Sequence, residues 1–572
     1  VRRLMLDEMD KLKRGDFDDD LLPSVVNNMR LDIYKAMESN ERRADMFVDA
    51  FINGKKWDDV VNRISRISGI TKKDITSFAA RHFGKNYATV YKRQGEDTTQ
   101  KKIDKPKITP IPANRDKQSA FVGEIISSKS EPIQPRFIDF GKDLTKSSTK
   151  KGLPILYVRN TENGRFTLAF HYAFGEESDK WLPLAASYID YLGTDRMSAE
   201  DIKRKFYKLA CSYGISVGTD MTTVTLSGLN DNLPQALELM EDILANAKAD
   251  SEAYNKYVES ELKNRKDAKL NQAGNFSALL YYGIYGPYNR IRNIPGAQEL
   301  RDKNPKELTG LLKDLSKYEH TVLYYGPYSV DELASVIEKK HRTAGKLAQV
   351  PAGKEYTEQQ TTENEIMIAP YEAKNAYISQ YCNNGRKWSA EKQPVVEIFN
   401  EYFGGGMNSV VFQELRESRG LAYSAWATYN TPGRKNHNEF VRTQIISQND
   451  KMMDCIRTFN NIIDTIPQSE KAFGLAKQAI TKRLAAQRTT KFSILNAYLA
   501  AQRMGIDYDI NEKIYNALPG ITMKDMVDFE KETMAGKPYR YLILGDEKNL
   551  DIKSLERIAP VKRLTTEEIF RY

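Results

Sequence analysis

The chain has 572 residues and a formal net charge of +9, with 40% hydrophobic and 28% charged residues. This is a folded composition with acidic and basic residues interspersed, which excludes a disordered polymer and the one-sided basic footprint of a nucleic-acid binder. The longest apolar stretch, 276–282, is far short of the ~18 residues of a membrane helix, and Cys211, Cys382 and Cys455 are too widely spaced for a disulfide framework or a Cys-based metal cluster.

The chain opens Val-Arg-Arg-Leu-Met-Leu-Asp-Glu, which reads as a helix interior and leads us to expect more polypeptide upstream. Residues 69–87 and 520–539 are repeats: Gly69, Ile70, Thr71, Lys73, Asp74 and Phe78 match Gly520, Ile521, Thr522, Lys524, Asp525 and Phe529. Thr71 and Thr522 are helix N-caps with an acid three residues on. Each copy is expected to run from helix through turn into a strand, at 88–91 and 540–544. A weaker third copy spans 303–326. Three copies of one domain ending imply tandem homologous domains.

Between the first two copies, residues 93–150 carry Pro106, Pro110, Pro112, Pro132 and Pro135 and read as an extended linker. Strands are expected at 154–158, 166–172, 365–369 and 376–381, each pair followed by long amphipathic helices. Residues 340–362 read as a domain junction. Strands separated by helices without regular βαβ alternation give an α+β class: tandem domains, each an antiparallel-rich sheet with helices packed on it. The expected division is 1–95, the end of an incomplete domain; 96–150, a linker; and two further domains, 151–345 and 346–572. The basic runs 203–205 and 263–269 read as solvated helix faces, and the aromatic run 281–288 as a packed loop.

The most informative run is 402–424. Gly404, Gly405 and Gly406 form a turn that lets backbone approach closely. Asn408 or Ser409 caps a helix with Phe412 and Leu415 on one face, and Gly420 ends it. Residues 421–429 then alternate as a strand, with Leu421, Tyr423, Ala425, Ala427 and Tyr429 on one side. Arg416 and Tyr423 would converge across this helix–strand turn.

This run resembles the glycine-rich turn followed by F-x-x-L-R-x-x-x-x-L-[GA]-Y of the insulysin/pitrilysin (inverzincin) zinc metallopeptidases. The resemblance implies a two-half, four-domain clamshell whose C-terminal portion is this chain. It implies that Arg416 contacts the substrate backbone and that Tyr423 hydrogen-bonds the carbonyl oxygen as it becomes an oxyanion, beside Gly404, Gly405, Gly406 and Asn408. The family's zinc motif, H-x-x-E-H with a distant Glu, is absent from the five histidines, His82, His171, His320, His341 and His437. His171 and His437 read as ordinary strand or surface histidines. Gly193–Thr194 fits a pair that follows the motif on the same helix, which places Leu184, Ser187 and Tyr188 where the ligands would stand. The expectation is therefore that this chain holds no metal, that Zn is held by an N-terminal half, and that peptides are the substrates. A bacterial periplasmic or envelope location follows from resemblance alone. The alternative is a non-catalytic peptidase-like scaffold or assembly subunit.

Overall fold

The computed structural model describes residues 1–92, 95, 119–129 and 131–572. They divide into two compact units: Val1–Leu22 with Val61–Gln134, and Pro23–Val60 with Pro135–Tyr572.

In the first unit the helix Arg2–Arg14 packs against the helix Lys72–His82. Gly15, at φ 71°, ends the former in the left-handed conformation. Thr71 caps the latter in a reciprocal capping box with Asp74. The strand expected at 88–91 is not formed: Val90 is 93% exposed, and no strand occurs among the described residues of this unit. A strand exists through the N–H and C=O groups of its neighbours, and here those neighbours are lacking. Pro106, Pro110 and Pro112 lie outside the described residues.

The second unit contains two six-stranded sheets. The first comprises β1 (Thr145–Ser148), β2 (Pro154–Arg159), β3 (Arg165–Tyr172), β4 (Cys211–Val217), β5 (Thr222–Leu229) and β6 (Thr321–Gly326), in the order β1-β2-β6-β3-β5-β4. The second comprises β7 (Glu365–Pro370), β8 (Asn375–Cys382), β9 (Ser424–Asn430), β10 (Phe440–Gln448), β11 (Arg540–Gly545) and β12 (Val561–Arg563), in the order β12-β7-β11-β8-β10-β9. Five strands of each follow one topology, in which the last core strand is inserted between the first two. It runs parallel to one, β2 with β6 and β7 with β11, and antiparallel to the other. The class is α+β with a repeated sheet. β1 falls in the stretch that the sequence reads as linker, and the helix Ala120–Ser127 also lies there.

The inserted strands explain their own composition. β6 and β11 are covered on both faces and read as near-continuous apolar runs, with burial through every position but the first. β4 and β9 lie at sheet edges and alternate. One face of each sheet packs on helices of its own repeat. The other face is covered by the opposite repeat: the helix Gln272–Tyr285, between β5 and β6, lays Phe276 and Leu279 on Met367, Leu542 and Leu544 of the second sheet. The helix Phe492–Met504, between β10 and β11, lays Ile494, Leu495 and Ala501 on Leu156, Ala169 and Leu323 of the first. Gly283 sits so close to Leu542 that any Cβ would collide with it.

Two expectations need correction. Tyr281 and Tyr285 belong to the helix Gln272–Tyr285 rather than to a loop, because the apolar positions of this segment bury against the second sheet. Within 263–269, Arg265 is not solvated: it is 6% exposed, donates to the Pro295 carbonyl oxygen at 2.6 Å and pairs with Glu261 at 2.8 Å. Residues 203–205 are exposed, as expected.

Candidate active-site turn

The helix Gln393–Phe399 widens into a π-helical turn, Asn400–Gly404, and a second π-helical turn, Phe412–Glu417, follows the loop after it. Such turns are rare and frequently mark functional sites. Asn400 fastens the first turn to β9: its side chain accepts the Tyr429 N–H at 2.7 Å and donates to the Tyr429 carbonyl oxygen at 3.1 Å. Tyr402 donates to the Pro467 carbonyl at 2.6 Å and accepts the Ser469 N–H at 3.0 Å.

Gly404 packs directly beneath β9, where a Cβ would lie 2.0 Å from the Ala427 carbonyl oxygen, and Gly405 lies less tightly against the Asn400 carbonyl oxygen, at 2.8 Å. The close approach is thus to the chain's own backbone. Gly406 has space around it, so no packing reason requires a glycine there. Asn408 is exposed, and the cap is Ser409, buried and accepting the Phe412 N–H at 3.4 Å. Leu415 is fully buried. Gly420, at φ 57°, ends the turn, with its N–H on the Arg416 carbonyl at 3.1 Å and the Leu421 N–H on the Leu415 carbonyl at 2.9 Å.

Arg416 and Tyr423 flank this anchored end. The Arg416 guanidinium lies over the Phe412 ring, 4.9 Å from its centroid, and 4.0 Å from the Glu417 carboxylate, so it is turned back along its own helix. Tyr423 is 81% exposed, and its hydroxyl has no hydrogen-bond partner among the described residues. Its position is nonetheless fixed. Its N–H donates to the Ile446 carbonyl at 2.9 Å, and the neighbouring Leu421 carbonyl accepts from Ser447 at 2.6 Å and from the Cys455 thiol at 3.5 Å. The strand begins at Ser424, one residue later than Tyr423, which frees Tyr423 from the inward alternation that Ala425, Ala427 and Tyr429 keep. Beneath, Tyr429 donates to Glu439 at 3.0 Å, and Arg386 stands 3.2 Å from the same oxygen. Burial holds both the Glu439 carboxyl and the Tyr429 phenol above their ordinary ranges. The floor is therefore rigid and the upper surface carries an exposed phenol and an exposed guanidinium, a pair able to donate hydrogen bonds to a carbonyl oxygen.

The stretch expected to mark a lost zinc site is the helix Leu182–Tyr188. Leu184 and Tyr188 are buried, the Tyr188 hydroxyl bonds to the Asp250 backbone at 2.7 Å, and Ser187 bonds the Pro183 carbonyl at 3.1 Å. Gly193 and Thr194 are not on that helix: a 3-10 turn, Ile189–Tyr191, ends it first, and Gly193 is held against the Met197 carbonyl. Among the described residues no group of three His, Cys, Asp or Glu could hold a metal. A leucine, a serine and a buried tyrosine do not fit a zinc ion.

Two histidine clusters were missed in the sequence. His437 is not a surface residue but is 8% exposed, its Nδ1 3.1 Å from Glu358 and its Nε2 3.4 Å from Glu355, which holds its pKa above the ordinary value. His320 and His341 face each other with Nε2 atoms 2.8 Å apart, too close to admit a metal between them, and Glu241 accepts from His341 at 2.6 Å. Burial lowers His320 to about 4. The separations of these residues form no sequence motif, so only the fold brings them together. His171, half-buried and 3.4 Å from Thr223, is the strand histidine expected.

The two repeats are six-stranded sheets that share one topology over five strands. Residues 319–480 match the family model described as the peptidase M16 inactive domain. The chain is 23% identical over 250 residues to the "Uncharacterized zinc protease YmxG" of Bacillus subtilis, covering 42% of this chain and 58% of that protein. It is 22% identical over 253 residues to the "Uncharacterized zinc protease Rv2782c" of Mycobacterium tuberculosis, covering 42% and 57%. The match thus spans little more than half the length of these curated relatives. Among solved structures, a peptidase M16 inactive domain from Pseudomonas fluorescens shares the fold at a TM-score of 0.56 and 15% identity, covering 70% of this chain and 98% of that one. The periplasmic protease PqqL from Escherichia coli does so at 0.58 and 12%, covering 95% and 63%. Residues 319–480 thus match an M16 peptidase domain, and the chain is similar to insulinase/pitrilysin-type (M16) peptidases.

Proposed function

We propose that this chain is the substrate-binding portion of a zinc metalloendopeptidase that hydrolyses oligopeptides or unfolded polypeptides. Zinc is held by an N-terminal half outside this sequence, and the chain's residues divide as 1–95, 96–150, 151–345 and 346–572. No helix among the described residues is long and apolar enough to cross a membrane. The periplasmic location of a structural neighbour favours an envelope location for this protein too.

The observation that carries the reading is Tyr423, an unpartnered, 81% exposed phenol on a backbone fixed by its own N–H and by the Leu421 carbonyl. A side chain kept for packing would be buried; one kept to meet a ligand is presented this way. In the proposed role Arg416 grips the substrate backbone and the Tyr423 hydroxyl donates to the carbonyl oxygen as negative charge develops on it. Such a preorganised donor contributes ~3 kcal/mol.

The test uses protein expressed from its complete gene. We expect about one zinc per molecule, and Tyr423→Phe should lower kcat about 100-fold while KM and zinc content stay close to wild type. A folded protein without zinc would instead favour a non-catalytic scaffold. A zinc-bearing enzyme indifferent to Tyr423→Phe would remove the oxyanion role.

A further inference from the structure

We propose that Arg442 anchors a carboxylate-binding subsite at the β9–β10 edge of the second sheet, on the face turned away from the core, taking an acidic side chain or the terminal carboxylate of a bound peptide. The proposal rests on the peptidase reading and adds a preference to it.

Burial along β10 alternates: Val441, Thr443 and Ile445 face the core, and Arg442 faces the opposite side with Trp426 of β9. The guanidinium stands over the Trp426 ring, 4.7 Å from its centroid. Its Nε is buried and bonds to nothing, and among the described residues the side chain has neither a carboxylate nor a hydrogen-bond acceptor. Three other buried or half-buried arginines of this unit are not left so. Arg434 grips Glu177 with two bonds of 2.9 Å, Arg540 reaches Glu365 at 2.7 Å and Arg265 reaches Glu261 at 2.8 Å.

The neutral phenols of Tyr281 and Tyr285, stacked 5.8 Å apart on the helix Gln272–Tyr285, lie near the guanidinium, and burial works against its charge. A guanidinium offers five donors in a fork that matches a carboxylate, and leaving it half-desolvated and unpaired is costly. Charge complementarity therefore selects an anion, and the aromatic surroundings would strengthen the pair by excluding water.

The register sets the reach. Arg442 pairs with Thr428, five residues along from Tyr423. At the rise of a β-strand this is about 17 Å, the span of about five residues of extended peptide. The carboxylate should lie at about that distance from the scissile bond.

The test needs no turnover. Three fluorescent dodecapeptides share one sequence: an amidated peptide with a Gln at the fifth residue from a central bond, its Glu twin, and the Gln peptide with a free C-terminal acid. Fluorescence anisotropy should show the wild-type chain binding at least one acidic peptide roughly tenfold more tightly than the amidated Gln peptide. Which acidic peptide gains distinguishes a side-chain from a terminal carboxylate. Arg442→Met should erase the advantage while preserving affinity for the Gln peptide, and Arg442→Lys should keep part of it. Equal binding of all three to wild type, or a preference surviving in Arg442→Met, overturns the subsite and leaves the peptidase reading intact. Absence of binding by every peptide overturns both.

Discussion

Glu530 is 1% exposed on the helix Met523–Thr533, and its carboxyl has no hydrogen-bond partner among the described residues. Burial raises its pKa from 4.5 to about 7, against a smaller opposing effect of Lys531. A carboxyl raised in this way binds its proton more tightly folded than unfolded. Stability is therefore highest below pH 4.5 with respect to this group and is lost as pH rises from 4.5 to 7, by an amount on the order of 3 kcal/mol. Glu530→Gln keeps the shape and removes the charge. Urea denaturation should find the variant close to wild type at pH 5 and more stable at pH 8. The same difference at both pH values would show that the carboxylate is not the cause.

At the scale of elements, the two Thr/Asp capping boxes were legible because the signal is local: a hydroxyl, an acid three residues on, and an apolar run. The structure forms both. Thr522→Ala should lower stability by about 1 kcal/mol in thermal or urea denaturation, and Thr522→Ser should restore most of it. A loss below a few tenths would mean that packing of Met526, Phe529 and Glu530 holds the helix without its cap. Gly420 and the strands 154–158, 166–172, 365–369 and 376–381 were legible for the same reason of local chemistry. What failed depended on distant partners. The run 88–91 has strand composition, but pairing is supplied by other strands. The π-helical turns around Gly404 leave no residue signature, since the widening comes from fastening Asn400 to Tyr429 across a sheet edge. His437 looked ordinary because Glu355 and Glu358, which enclose it, lie about eighty residues away in sequence. In the candidate site, the types and spacing of Arg416 and Tyr423 were readable, but the exposure of Tyr423 was not: the strand expected from 421 starts only at Ser424, past Tyr423.

For the larger unit as a whole, the two sheets are chemically dependent on each other. Each receives the cover for one face from a helix that lies, in sequence, within the other repeat. The Glu177–Arg434 pair, extended by Asp220 and Arg503, joins the loops of the two repeats as well. Neither repeat can bury both faces of its sheet alone, so their unfolding should be coupled. Leu495 tests this. It is fully buried on the helix Phe492–Met504, which belongs in sequence to the second repeat but packs on Leu156 and Leu323 of the first. Leu495→Ala should cost about 2–5 kcal/mol through lost burial and the cavity left behind. Its signature should be spatial rather than sequential: amide hydrogen exchange in β2 and β6 should accelerate as much as exchange in β10 and β11. Loss of protection confined to the second sheet would show that the repeats unfold separately and that the exchanged helices only rest on their neighbours.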